Sequence, residues 1–238
     1  MADDRKDDAD GAAEPKPHYL GHRERLRERL LEGGPEAMPD YEILEFLLFS
    51  ARARGDTKPL AKALIARFGS FAGVMAADRN ALLDVDGMGD AAAASLLAVR
   101  EAGRRMLRAE VADKPVFSNW QALLDYCTAK NGFGAIEEFH ILFLDRKNVL
   151  IADERQQRGT VDHTPVYPRE VVKRALELNA TALILVHNHP SGEVTPSRAD
   201  IDMTKQIRDA LKTVSVILHD HVIVGRGKHA SFKSLGLL

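Results

Sequence analysis

The segment Ala180-Thr181-Ala182-Leu183-Ile184-Leu185-Val186-His187-Asn188-His189-Pro190-Ser191-Gly192 carries the most legible chemistry in the chain. An apolar run that reads as a buried strand ends in two histidines at i and i+2. Side chains two apart on a strand leave the same face, so two imidazoles stand together at its edge. Asp200, in a segment that reads as a new helix, can bring a carboxylate back to the same place. Two histidines and one carboxylate with an open fourth position make the donor set of a catalytic zinc site.

Each donor has a plainer alternative. A lone histidine at a strand end can hydrogen-bond a loop, but two on one face before Pro-Ser-Gly are difficult to explain as packing. Ser197-Arg198-Ala199-Asp200 is also a capping pattern, with the aspartate at the third helical position. The two roles are compatible. Ligation is favoured because two histidines leave zinc one protein ligand short and Asp202 lies on a nearly opposite helix face. A competing pair, His219-Asp220-His221, repeats the i, i+2 spacing after Ser215-Val216-Ile217-Leu218. No carboxylate-bearing helix follows it, so it is read as structural support beside the ligands.

Hydrolysis at such a centre also needs a general base to move a proton to the leaving group. Glu137 and Glu138 precede the strand-like Phe139-His140-Ile141-Leu142-Phe143. Strand neighbours point to opposite sides, so one of the two can face the site, and the alternative is a pair of solvated carboxylates. Ser191 is either a donor to an oxyanion or a turn serine before Gly192.

Stepping outward, 238 residues with 45% apolar content provide a packed core in one large or two modest domains. Lys+Arg 33 against Asp+Glu 35 leaves no global field for nucleic acid or an anionic membrane. The one cysteine, Cys127, excludes an internal disulfide and a Cys-type zinc cage, which fits the cytoplasm. No signal-like segment opens the chain, and its longest apolar run is too short to span a bilayer. A membrane role is not expected.

Residues 1–17 are acidic and mixed-charge, with little to bury, and read as a disordered tail. Three- and four-residue apolar spacing predicts helices at Arg23–Leu31, Asp40–Phe49, Pro59–Phe68, Asn80–Val85 and Ala91–Leu107, an all-helical domain over 18–110. A polar stretch places the boundary near Asp113. Ser118-Asn119-Trp120-Gln121 then reads as a capping box with Ser118 as the cap. Beyond it, Phe139–Asp145 and Val149–Asp153 read as a hairpin, Pro168–Leu178 and Ser197–Leu211 as helices, Thr181–Val186 as a strand, and Val214–Gly225 as a strand or pair of strands. The whole is a two-domain α+β chain, with an α/β unit over 117–238.

His187-x-His189, Ser191 and Asp200, with a glutamate on an earlier strand, resemble the JAMM (MPN+) metalloprotease motif. The closer resemblance is to the RadC family. It rests on Phe143-Leu144-Asp145, Arg158-Gly159-Thr160-Val161, Tyr167-Pro168-Arg169-Glu170-Val171, His187 to Gly192, Pro196 to Asp200, and Asp220-His221-Val222-Ile223-Val224-Gly225, in that order. The resemblance covers about 118–238 and implies a JAMM-type α/β fold with a mixed sheet. It implies one zinc ion on His187, His189 and Asp200, Ser191 as oxyanion donor, and Glu137 rather than Glu138 as the base. The implied activity is a zinc-dependent peptidase or isopeptidase acting on a peptide or protein substrate.

The amino-terminal unit resembles the RadC helical domain, and Leu83 to Asp90 followed by Ala91 to Leu97 looks like a helix-hairpin-helix. Such hairpins offer backbone amides to a nucleic-acid phosphate. Here Asp84, Asp86 and Asp90 surround the hairpin, and 14 Lys or Arg against 14 Asp or Glu over 18–110 leave no excess charge. Arg23, Arg25, Arg27 and Arg29 are interleaved with Glu24, Glu28 and Glu32, as on a solvated helix. The expectation is weak DNA contact at most. The alternative function is a DNA-associated repair factor with a structural metal, in keeping with the family's historical label. An HNH nuclease is rejected, because in that motif the named residues are dispersed over a ββα element.

Overall fold

The computed structural model describes residues 21–52, 55–158 and 166–238. The expected tail over 1–17 and the Gly159-Thr160-Val161 block lie outside the described residues.

The amino-terminal unit consists of α1 (His22–Glu32), α2 (Asp40–Phe49), α3 (Lys58–Phe68), α4 (Phe71–Ala76), α5 (Arg79–Leu83) and α6 (Asp90–Val111). The apolar spacing that predicts these helices also builds their shared core, with Leu44, Leu48, Leu64, Leu82 and Leu96 almost fully buried. The short α4 was not foreseen. Six residues are too few for a period to show, and the helix is started by the Ser70 side chain, which accepts from Gly73 N–H at 3.0 Å. α6 runs past the expected end at Leu107, and Val111 lies in the core of the second unit, with Leu107 packed against it.

A short 3-10 turn over Val116–Asn119 leads into α7 (Trp120–Asn131). The cap is Asn119, whose side chain accepts from Ala122 N–H at 3.1 Å, and not Ser118 as expected. The turn draws Ser118 back, so that its hydroxyl donates to Pro115 O.

Then come β1 (Glu138–Leu144), β2 (Leu150–Arg158), α8 (Pro168–Glu177), β3 (Ala182–Asn188), α9 (Arg198–Lys212), β4 (Ile217–Gly225) and β5 (Lys228–Ser231). They form a mixed sheet of order β2-β1-β3-β4-β5, antiparallel except for β3 and β4. A parallel pair needs a crossover, and α9 is that crossover. β5 lies beyond the predicted Val214–Gly225 strand region, because four residues are too few for an alternation to show. It pairs back on β4 through Arg226 and Gly227, both at positive φ, the backbone a two-residue hairpin requires.

The sheet buries both faces. Leu142, Leu144, Ile184, Val186, Val222 and Val224 meet α7 and the end of α6, while Phe139, Ile141, Phe143, Leu183 and Leu185 meet α8 and α9. One irregularity reorders the second histidine pair. Leu183 is opposite Leu218 and Ile184 is opposite Asp220, so His219 is the extra residue of a bulge. His219 and His221 therefore face opposite sides and do not repeat the geometry of His187 and His189. Among the described residues, no helix is long and apolar enough to cross a membrane.

Candidate metal centre

Alternation along β3 puts Leu183, Leu185 and His187 on the α9 side and Val186 and Asn188 on the other. The strand extends through Asn188, so His187 stands within the ladder, opposite Phe139 of β1 and Ile223 of β4. His189 follows immediately, tied to β4 by its N–H to Val224 O at 3.0 Å. The loop then turns through Gly192 at φ +84°, where a Cβ would lie 2.8 Å from Arg226 Cδ. Only glycine is accommodated there without strain.

α9 returns the carboxylate. Ser197 and Asp200 form a reciprocal capping box: Asp200 N–H donates to Ser197 Oγ at 3.1 Å, and Ser197 N–H donates to Asp200 Oδ2 at 2.7 Å. The same carboxylate reaches both imidazoles. His187 Nε2 lies 2.9 Å from His189 Nε2, 3.4 Å separate His187 Nε2 from Asp200 Oδ1, and 3.7 Å separate His189 Nε2 from Asp200 Oδ2. Capping and convergence on the histidines thus coexist. Donors about 2.0–2.1 Å from a tetrahedral ion stand about 3.3 Å apart, and these three spacings bracket that value. Among the described residues this is the one group of three His, Cys, Asp or Glu side chains with such mutual proximity.

The donor chemistry fits an ion as well. His189 Nδ1 is 2.6 Å from Glu193 O. A carbonyl only accepts, so Nδ1 carries the proton and the neutral ring turns a bare Nε2 toward His187 and Asp200. Burial pushes the His187 imidazole down to about 4, with the Asp200 charge only partly opposing it. His189 moves the other way, because the protonated ring would donate from Nε2 to Asp200. Burial alone would raise Asp200, but His189, His187 and Ser197 together hold it well below the usual carboxylate range.

The two candidate bases part company. Phe139 is the register partner of His187, so Glu137, two residues earlier, lies on the metal side. Burial raises its carboxyl, and the opposing charges of His189 and Asp200 both act on it. Glu138 faces away, to His140 Nε2 at 3.4 Å and Arg155 at 3.0 Å. Ser191 Oγ accepts from Glu193 N–H at 3.2 Å and makes no hydrogen bond to the three donors. His221 lies against His187, with Nε2 2.7 Å from His187 Nδ1, while His219 meets Asn148 at 2.7 Å on the far face.

Two participants escaped the sequence reading. Asn188 accepts from Glu138 N–H at 2.8 Å and donates to Ile136 O at 3.0 Å, clamping the segment that carries Glu137. Thr204, 0% exposed, reaches His221 Nδ1 at 2.6 Å. Its place four residues after Asp200, on the same helix face, was the available signal.

The helical hairpin shows a different balance. Asp84 pairs with Arg67 at 3.3 Å and Asp90 with Arg79 at 2.6 Å, so two of its three acids are tied to arginines of the same domain.

A mixed sheet with a His-His-carboxylate cluster at the end of a central strand defines a JAB-type domain, a class that typically binds metal. A family model described as the RadC-like JAB domain matches residues 117–237, and one described as UPF0758 N-terminal matches 18–94. A UPF0758 protein of Rhodobacter capsulatus is 59% identical over 213 residues, covering 90% of this chain and 100% of the relative. The chain belongs to the RadC family.

Proposed function

We propose that this protein is a zinc-dependent hydrolase of JAMM type, cleaving a peptide or isopeptide bond. The observation that carries the reading is the convergence of His187, His189 and Asp200 with the carboxyl of Glu137 beside them. A zinc ion held by the three donors supplies Lewis acidity toward a carbonyl and toward water. Glu137, with its proton affinity raised by burial, takes the proton of the attacking water and passes it to the leaving amine. The clamp from Asn188 holds the backbone on either side of that residue. Ser191 accepts from the Glu193 amide, which leaves its own proton available for the oxyanion.

The DNA-associated reading has less support, since Asp84 and Asp90 of the hairpin already neutralise the neighbouring Arg67 and Arg79.

Metal analysis of purified protein, paired with a peptidase screen, tests the proposal. His187→Ala and Asp200→Ala are expected to lose bound zinc. Glu137→Gln is expected to keep zinc while losing turnover by about 10²–10⁴-fold. Wild-type turnover in that variant would remove Glu137 from the mechanism, and a metal-free wild type would end the hydrolase reading.

A further inference from the structure

We propose that Thr204 and His221 act as positioning residues that fix the tautomer of His187, so that its bare Nε2 faces the metal site. Three contacts form a chain. Thr204 Oγ1 lies 2.6 Å from Asp200 O and 2.6 Å from His221 Nδ1, and His221 Nε2 lies 2.7 Å from His187 Nδ1.

The direction of the chain follows from its first member. A carbonyl oxygen accepts and never donates, so the Thr204 hydroxyl proton goes to Asp200 O. The hydroxyl oxygen then accepts from His221 Nδ1–H. A neutral imidazole carries one N–H, so His221 Nε2 is bare and accepts from His187 Nδ1–H. His187 Nε2 is therefore bare as well, on the side of His189 and Asp200. The reversed order would leave Thr204 Oγ1 and Asp200 O at 2.6 Å with no proton between them. It would also place an N–H on His187 Nε2, where an ion must bind.

Thr204 and His221 are 0% exposed and His187 is 1% exposed, so water does not substitute for a missing donor. Phe232 stacks on the His221 ring at 4.5 Å and Phe139 meets it edge-on at 5.7 Å, which holds the ring in place. The chain begins on the backbone of Asp200 and ends on His187, so one ligand's own helix sets the proton state of another ligand. The consequence for zinc rests on the proposed metal function, whereas the tautomers themselves do not.

The test uses the full-length protein. Long-range proton–nitrogen NMR spectra of metal-free wild type, labelled with ¹⁵N-histidine, are expected to show Nδ1–H forms for both His187 and His221. Competition with a chromophoric chelator is expected to give a 10–100-fold weaker zinc affinity for Thr204→Val, in the range for loss of an outer partner of a metal ligand. Thr204→Ser is expected to restore wild-type affinity. An Nε2–H form of His221, or unchanged affinity in Thr204→Val, overturns the proposal. If Thr204→Val fails to fold, or if wild type takes up no zinc, the wild-type tautomers still decide it, and failure to bind zinc counts against the proposed hydrolase alone.

Discussion

At the scale of single residues, Asn188 offers a test that keeps the proposed metal binding apart from the proposed turnover. It stands between the two histidines, yet strand alternation turns its side chain to the opposite face, where it pairs with Glu138 N–H and Ile136 O. Replacing it with alanine removes two part-buried hydrogen bonds, each worth about 0.5–1.5 kcal/mol. It also releases the segment bearing Glu137 without touching a ligand. Asn188→Ala is therefore expected to keep its zinc, melt at a lower temperature and lose turnover. Full turnover with a lowered melting temperature would show that the clamp supports the fold alone.

At the scale of elements, one junction shapes the centre and a second ties together the opposite face of the sheet. The first is the start of α9, where Ser197 and Asp200 cap one another. Ser197→Ala removes the cap, at about 1 kcal/mol, and the side chain that orients the carboxylate. Both thermal stability and zinc affinity should fall, and an unchanged affinity would show that the helix start holds Asp200 without it. The second lies on the other face of the sheet, where Asp153 of β2 meets Lys130 Nζ at 2.6 Å, Tyr126 OH at 2.6 Å and His140 at 3.2 Å. Burial alone would raise the Asp153 carboxyl, but His140, Lys130 and Tyr126 hold it far below the usual range.

A carboxyl lowered by folding contributes stability above its unfolded value, about 3.9, and loses that contribution as pH falls toward the folded value. Asp153→Asn should thus destabilise the protein at pH 7, by about 3–5 kcal/mol if the charge of Lys130 is left buried. It should also flatten the acid limb below about pH 4. Melting temperatures from pH 7 to 2 provide the check. Parallel curves for wild type and variant would assign the acid limb to other groups.

At the scale of the whole molecule, α6 joins two cores. Its first half packs with Leu44, Leu82 and the rest of the helical core, and its last turn delivers Val111 to the core under the sheet. Two units sharing one helix should unfold together. Leu44→Ala, a cavity in the helical core worth about 2–5 kcal/mol, is expected to lower the midpoint seen by Trp120 fluorescence, which reports on the other unit. A Trp120 transition that stays in place while the helical signal melts earlier would show that the units are independent.

Local pattern by itself determined the types of the longer elements, the change from helical to alternating periodicity near Gly132, and the pairing of His187 with His189, because each depends on residues a few positions apart. It also carried the capping role of Asp200, since a helix cap is a matter of three residues, whereas its approach to the histidines depends on how α9 packs. Tertiary structure alone decided which histidines meet. One unpaired residue in β4 turns His219 away and leaves His221 against His187, and nothing in the local spacing marks that bulge. The separation of Glu137 from Glu138 belongs to the same class, because the register of β1 on β3 and the clamp from Asn188 come from 50 residues away. So does the reach of α6, whose final turn is apolar enough for a helix but gains its place only from the core it enters. Short-range order is written in periodicity, whereas register and facing are fixed by the strands and helices that pack alongside.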